Sequence, residues 1–423
     1  MSDAVRRQSG LPHAVFLRRL ASAPSAIAAD ARLSQGAFLV LRLVDLLADP
    51  RPLYADAFHY QHAASERFCR DLPADSVETA HLVGLVRSAA DAYQTNDVRL
   101  VLPALLAYAH HLEDALRLDE ALDVLCTLLS VGGGRLGPSD RVAAQLRIGR
   151  VNRKLNRFDD ADAAYNVAAE LADITGDVYS ALLSRVGRAI ATQAKGNLAE
   201  SERLFGGLLL DAQAAGERDI EARAHHALGT TLLLRGQVDE AIVHVCRAFE
   251  RYEDEASSLR ALNDMGVMLL ASGRVHEAER ALGEVVRLGG ARDNVTNAMI
   301  ELMHCASYRG DRVGFERRRA ECESRRGEMP PNILADFYLK AGIGNARFGN
   351  FRRAEVLMRE ASRIAAGHGL HELEFRVERI MAGLRSCEAE RTPLQHAAAQ
   401  PAISTEALQE VSASLARLEN RER

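Results

Sequence analysis

A four-residue pattern returns along this 423-residue chain at nearly constant intervals: an apolar residue, two polar or charged ones, then usually Ala. It reads Leu118-Asp-Glu-Ala121, Phe158-Asp-Asp-Ala161, Leu198-Ala-Glu-Ser201, Val238-Asp-Glu-Ala241, Val275-His-Glu-Ala278 and Phe351-Arg-Arg-Ala354. A degenerate copy, Val313-Gly-Phe-Glu316, fills the one gap, and the first members then stand 40, 40, 40, 37, 38 and 38 residues apart. A period of that length marks a supersecondary unit stacked on copies of itself, because one such unit cannot bury its apolar face alone.

The residues around each tetrad define what the unit is. A turn former stands two places before it, at Asn156, Gly196, Gly236, Gly273 and Gly349; such a residue ends one helix and admits the φ > 0 turn into the next. Seven places before the turn comes a small residue, Ala109, Gly149, Ala189, Gly229, Gly266 or Gly342, which lets two helix backbones approach. Four past the tetrad's last position stands a large apolar group: Leu125, Tyr165, Phe205, Val245, Leu282 or Met358. Seven past it comes Leu128, Ala168, Leu208, Ala248, Val285 or Ala361. Spacings of three, four and seven trace one stripe of a helix and not a strand. Each unit is therefore predicted to be helix A, a tight turn and helix B.

These pieces resemble the tetratricopeptide repeat (TPR) family, through Leu228-Gly229 with Gly236 and Ala241, Met265-Gly266 with Gly273 and Ala278, and Ile148-Gly149 with Phe158 and Ala161. The resemblance covers residues 98 to 370 and implies an all-α fold, a right-handed α-solenoid of antiparallel helix pairs. Repeats of 37–40 residues are longer than the family's usual length, and the closing Pro is missing, as in the sensor-type arrays of bacterial regulators. The repeat at 292–328 departs furthest: Glu316 replaces the Ala and Met303-His304 replaces Leu-Gly, which predicts a distorted repeat or a joint between two stacks.

Outside the regular copies, residues 1–53 read as an N-terminal helical cap and 54–370 as the solenoid, its first repeat (54–95, with Val77-Glu-Thr-Ala80) degenerate. Residues 371–386 read as a capping helix. Residues 387–402, with Pro393 and Pro401, read as a linker. Residues 403–423 form a short amphipathic helix and tail with Leu408, Val411, Leu415 and Leu418 on one stripe, suited either to docking on its own solenoid or to self-association. A DNA-binding helix-turn-helix over 11–70 is disfavoured, because residues 1–95 hold ten Arg against ten acids.

Fifty-three basic against 58 acidic residues leave a net charge of −5, so no global positive field draws the chain to nucleic acid or an anionic membrane. Lys occurs only at Lys154, Lys195 and Lys340 among many Arg, and Ala is abundant, which suggests a GC-rich bacterial gene. The apolar run Ala37 to Leu41 is far too short to span a bilayer. No signal peptide is evident, so the cytoplasm is the expected compartment. Six scattered cysteines without a C-x-x-C pair indicate neither zinc nor disulfides. Gly132 to Gly137 satisfies G-x-G-x-x-G, but it follows a predicted helix where dinucleotide binding needs a strand, and reads as an inter-repeat loop. Adjacent His110-His111 and His225-His226 point about 100° apart on a helix and serve one ion poorly. No P-loop or H-E-x-x-H occurs, so neither an enzyme nor a cofactor nor a metal is expected.

The TPR resemblance implies that A helices line a concave face that holds extended peptides. By position this face takes Arg147, Arg150, Arg153 and Lys154 from the second regular repeat, and Arg223 and His226 from the fourth. The fifth supplies Arg260, Asn263 and Asp264, and the seventh Lys340. A wall this rich in guanidinium favours a protein or peptide partner bearing carboxylates, either acidic side chains or a free C-terminus. The reading requires Arg147 and Arg150 to face inward, neither turned outside nor buried against acids. The function expected is a non-enzymatic adaptor or scaffold; the alternative is a regulatory sensor whose superhelix responds to a peptide or small ligand.

Overall fold

From residue 98 onward a residue in the left-handed region closes each helix A, and the next helix begins two residues later. The computed structural model describes residues 11–22, 28–48, 55–389 and 406–420, which hold twenty α-helices and no strand. Two compact units divide the chain, Met1–Gly196 and Asn197–Arg423. The first contains α1 (Ala14–Ser22), α2 (Ala28–Asp45), α3 (Ala55–Arg70), α4 (Val77–Thr95), α5 (Leu102–Asp114), α6 (Leu118–Gly132), α7 (Pro138–Lys154), α8 (Phe158–Thr175) and α9 (Val178–Ala194). The second contains α10 (Leu198–Ala215), α11 (Arg218–Leu234), α12 (Val238–Arg251), α13 (Glu255–Ala271), α14 (Val275–Leu288), α15 (Arg292–Tyr308), α16 (Arg312–Ser324), α17 (Pro331–Arg347), α18 (Phe351–Gly367), α19 (His371–Ala389) and α20 (Glu406–Asn420). Among the described residues no helix is long and apolar enough to cross a membrane.

The turns are built alike. Gly196, Gly236, Gly273, Gly310 and Gly349 have φ of 71–83°, and Asn156 and Leu116 take the same conformation at 58°. The residue after the turn donates its N–H back to the carbonyl five places earlier, as in Arg157 to Asn152, Gln237 to Leu232, Arg274 to Leu269 and Asn350 to Asn345, each at 2.9 Å. This closure satisfies carbonyls that the end of helix A would leave orphaned.

Packing inside a hairpin follows from the small residue on helix A. A Cβ at Gly229 would come within 2.5 Å of the Val245 side chain, at Gly266 within 2.6 Å of Leu282, and at Gly342 within 2.8 Å of Met358. The large residue of helix B thus rests on bare backbone, and the tetrad's Ala121, Ala161, Ala241, Ala278 and Ala354 are fully buried beside it. Tyr165 does this twice: its ring lies over Gly149 of its own hairpin and Gly187 of the next helix.

The degenerate repeat has a different register from the one read in sequence. Helix α16 starts at Arg312, two residues past Gly310, so Phe315 and not Glu316 takes the place of the tetrad's Ala. Val313, read as its first apolar member, is 82% exposed. Met303 occupies the small-residue position, and the Phe315 ring stands over Gly344 of α17, where a Cβ would meet it at 2.3 Å. The bulk gained inside this hairpin is matched by bulk removed from the next.

At the N-terminal end His13 ties three segments together. Its Nδ1 lies 2.6 Å from Asp123 on α6 and its Nε2 3.1 Å from Asp45 on α2, while Phe16 stacks on Tyr108 with ring centroids 6.5 Å apart. At the other end of the chain the apolar stripe of α20, with Leu408, Val411 and Leu415, is buried against α12 and α14 of its own unit. Of the two readings of this stripe, docking on its own helices is the one the contacts of α20 match. The expected linker is described only at residues 387–389, within α19; its remainder, and residues 1–10, 23–27 and 49–53 of the expected cap, lie outside the described residues.

Two outcomes follow. Gly187→Ala should destabilise the fold by about 1–3 kcal/mol, because the methyl overpacks the Tyr165 ring. Gly207→Ala in α10, where nothing lies within 4 Å, should instead stabilise by about 0.4–1 kcal/mol; urea unfolding of both variants reads the opposite signs. For His13, burial opposes the charge, but the hydrogen bonds to Asp123 and Asp45 prevail and raise the pKa from 6.5 to about 9. That stability is complete below pH 6.5 and lost as pH rises through 9. Wild type should thus exceed His13→Gln by about 2–3 kcal/mol at pH 7, and melting curves should converge by pH 10.

Candidate functional site

The A-helix residues 13, 9, 6 and 2 places before each turn share one face, by their spacing of four, three and four. On α7 these are Ala143, Arg147, Arg150 and Lys154. All three cations converge on one carboxylate, Glu113, in the last turn of α5. Arg147 reaches its Oε2 at 2.9 Å, and Arg150 and Lys154 reach Oε1 at 2.6 and 2.7 Å. The Glu113 side chain is fully buried, whereas 47% of Arg150 and 27% of Arg147 and of Lys154 remain exposed. Burial alone would raise the Glu113 pKa, but Lys154, Arg150 and Arg147 outweigh it and pull the value down to about 2.

This alters the sequence reading in a definite way. Arg147 and Arg150 do end against an acid, so the condition that they stay clear of acids is not met. Yet three cations share one anion, and about two positive charges are left over beside half-exposed guanidinium groups. Arg153, read as part of the same set, acts on Tyr165 instead, its charge opposing the rise that burial gives the Tyr165 hydroxyl, and its Nε is buried without a partner.

In the second compact unit the candidates separate. Arg223 is paired with Asp219 on its own helix at 2.6 Å. His226 joins two neighbouring elements, with Nε2 2.8 Å from Asp264 on α13 and Nδ1 3.3 Å from the Tyr252 hydroxyl. Arg260 is exposed. Asn263 is buried, with its Oδ1 unpartnered. Lys340 is buried between Glu301 of α15 and Asp336 of its own helix, and these carboxylates hold it charged against the cost of burial. Arg376 meets Asp336 from its other side at 3.9 Å, and Lys340, buried against both carboxylates, presents no exposed charge to a guest, so it leaves the carboxylate-binding set. Sequence reading also missed Arg347, which lies 3.7 Å over the Tyr308 ring and donates to Ser307 at 2.7 Å.

The partners that sequence reading missed share a regularity. Glu113 stands 34 and 37 residues from Arg147 and Arg150, Asp264 stands 38 from His226, and Glu301 stands 39 from Lys340. Opposite charges one repeat apart at matching heights were therefore the usable signal. Other motifs resolve structurally. The glycine run forms a short 3-10 turn at Gly133–Arg135 between α6 and α7. His225 faces His244 at 2.9 Å, and burial pushes both imidazoles down to about 4. Among the described residues no group of three or more His, Cys, Asp or Glu is placed to hold a metal ion.

No protein-family model and no curated protein sequence matches the chain. Among solved structures it is similar to the Rap conjugation gene regulator of the plasmid pLS20 in complex with the Phr* peptide. That similarity has a TM-score of 0.50 at 12% identity and covers 78% of this chain and 97% of that one. It is also similar to the apo quorum sensor NprR from B. thuringiensis, with a TM-score of 0.49 at 11% identity, covering 82% of this chain and 91% of that one. A third similarity is to nearly identical TPR-like repeats described as kinesin light chain from Podosopora anserina, with a TM-score of 0.38 at 18% identity, covering 45% and 97%. At such identities the likeness speaks to fold alone. The fold is an α-solenoid of TPR-like helix pairs.

The cluster on α7 has a measurable signature. A depressed carboxylate contributes stability that is complete above its unfolded pKa of 4.5 and lost as pH falls through 2. Glu113→Gln should therefore cost about 1–3 kcal/mol at pH 7. In urea unfolding its deficit against wild type should shrink steadily between pH 4.5 and pH 2.

Proposed function

We propose that the chain is a non-enzymatic binding module whose α7 face takes a carboxylate-bearing peptide or protein segment. One observation carries this reading: Arg147, Arg150 and Lys154 gather around a single buried carboxylate and retain exposed surface. Glu113 fixes the three side chains in place, so little of their rotamer freedom remains to be lost on binding. A guest carboxylate then adds as a second anion to a cluster that has charge to spare, through charge-assisted hydrogen bonds to Arg150 and Arg147. In the second compact unit only Arg260 of the candidate set is exposed, while Arg223, His226 and Asp264 are engaged with neighbours. Peptide binding by a similar fold is on record in the Rap regulator, which was solved with the Phr* peptide.

A second reading, a ligand-responsive regulator, draws support from the way charges bridge successive A helices. The pairs Glu113–Arg147 and Glu301–Lys340 each join neighbouring A helices of one compact unit. A guest that competes for Arg147 or Arg150 would act directly on the α5–α7 contact. Small changes of angle between repeats accumulate along a solenoid. A regulator would therefore change its small-angle scattering dimensions on peptide addition, whereas an adaptor would not.

The test is binding of a fluorescein-labelled hexapeptide library rich in Asp and Glu, with free or amidated C-termini, to the full chain. Binding should weaken with added salt and fall by about tenfold or more in Arg150→Glu. Amidation should matter only if the terminal carboxylate is what is recognised. Binding that is indifferent to both Arg150→Glu and Arg147→Glu would remove the α7 face as the site.

A further inference from the structure

Two B-helix faces, one in each compact unit, carry opposite charge around exposed apolar side chains. Helix α8 of the first unit holds five acids, Asp159, Asp160, Asp162, Glu170 and Asp173, and no basic residue. Asp159, Glu170 and Asp173 are exposed together with Val167 and Ile174, the last at 81%. At 100° per residue these five side chains fall within about a third of the helix circumference. Lys195, just past α9, meets Asp162 at 3.0 Å and Asp159 at 3.8 Å, and Glu170 and Asp173 stay clear of it one turn and more along the helix. In the second unit the exposed stripe of α18 reads Arg352, Val356, Arg359 and Arg363, at spacings of four, three and four. Helix α16 stands beside it, since Arg353 reaches Glu316 at 3.5 Å, and adds exposed Arg317 and Val313. The two helices hold eight Arg against five Glu. Arg359 and Arg363 pair with Glu355 and Glu360, while Arg317 and Arg352 are exposed and take no part in these pairs. Val313 is the sharpest departure from the repeat. The second position of the other regular B helices holds Asp119, Asp159, Ala199, Asp239, His276 or Arg352. A valine there, 82% exposed, contributes nothing to its own hairpin, and breaks of pattern of that kind are expected at functional surfaces.

We propose that the α8 face of one molecule docks on the α16–α18 face of a second copy of this chain. Each face carries what the other lacks. Carboxylates of Glu170 and Asp173 meet the guanidinium groups of Arg317 and Arg352 in charge-assisted hydrogen bonds. Val167 and Ile174 meet Val313 and Val356, an apolar centre inside a charged rim. Because the two faces differ, the contact is heterologous: every copy joined through one face still offers the other, and association proceeds to a closed ring or an open filament. The α7 face belongs to an A helix and takes no part, so this assembly is independent of the peptide site proposed above.

The test is sedimentation velocity of the full chain across a concentration series, at low and at high salt. The weight-average sedimentation coefficient should climb with concentration at low salt and return towards that of the monomer at high salt, where exposed charges are screened. One double variant, Arg317→Glu with Arg352→Glu, reverses the basic face; another, Glu170→Arg with Asp173→Arg, reverses the acidic one. All four positions are exposed, so thermal melts of both variants should match wild type. Each variant alone should associate about tenfold or more weakly than wild type. An equimolar mixture of the two should associate again, because each reversed face then finds its complement on the other chain, a recovery that damage to the fold cannot produce. A wild type that stays monomeric at every concentration and salt would overturn the proposal. So would an association that either double variant leaves unchanged, or a mixture that fails to recover it.

Discussion

The closest packing in this architecture rests on backbone laid bare at one position of helix A in four of the hairpins. Where helix A carries Gly149, Gly229, Gly266 or Gly342, a large side chain of helix B lies directly on the main chain, in space a methyl would contest. Glycine in a helix interior costs up to about 1 kcal/mol relative to alanine. Here the cost is offset by dispersion and apolar burial at full packing density. The same closeness sets the height of each helix against the next, and so decides which side chains of successive A helices come within reach. The α7 cluster spans two hairpins: Glu113 at the end of α5 meets Arg147, Arg150 and Lys154 of α7 through side chains alone.

The charged groups of these faces are therefore best understood as pairs spanning one repeat. Glu113 with its three cations is in cationic excess, whereas Lys340 with Glu301 and Asp336 is balanced by Arg376, 3.9 Å from Asp336. Both arrangements join neighbouring A helices, yet only the first leaves charge and exposed surface for a guest. Counting guanidinium groups along a face gives the wrong weight to such clusters; the ratio of cations to anions at each one decides what it attracts.

The repeat was legible in sequence because its determinants are local and periodic: turn former, small residue and apolar stripe each recur at fixed offsets. The reading faltered where a determinant was exchanged between neighbours. At 312–316 the apolar Val313 drew the register one residue late, because Phe315 in the Ala position makes sense only when Gly344, 29 residues on, is seen beneath it. The candidate site was legible as a set of positions and not as a set of charges. Arg147, Arg150 and Lys154 share a face as expected, but their counter-ion sits in the preceding hairpin, and spacing within one helix carries no word of it. Lys340 was misjudged for the same reason. The seat of α20 was beyond reach, since three leucine-like anchors state what a helix will cover and not where.

Tyr165 belongs to two hairpins at once, resting on Gly149 behind it and on Gly187 ahead. No single cut therefore frees a self-contained piece here: parting the chain at Asn156 takes the ring off Gly149, and parting it at Gly176 takes it off Gly187. A lineage that lengthens or shortens this array would have to remake one of the two sockets at the seam.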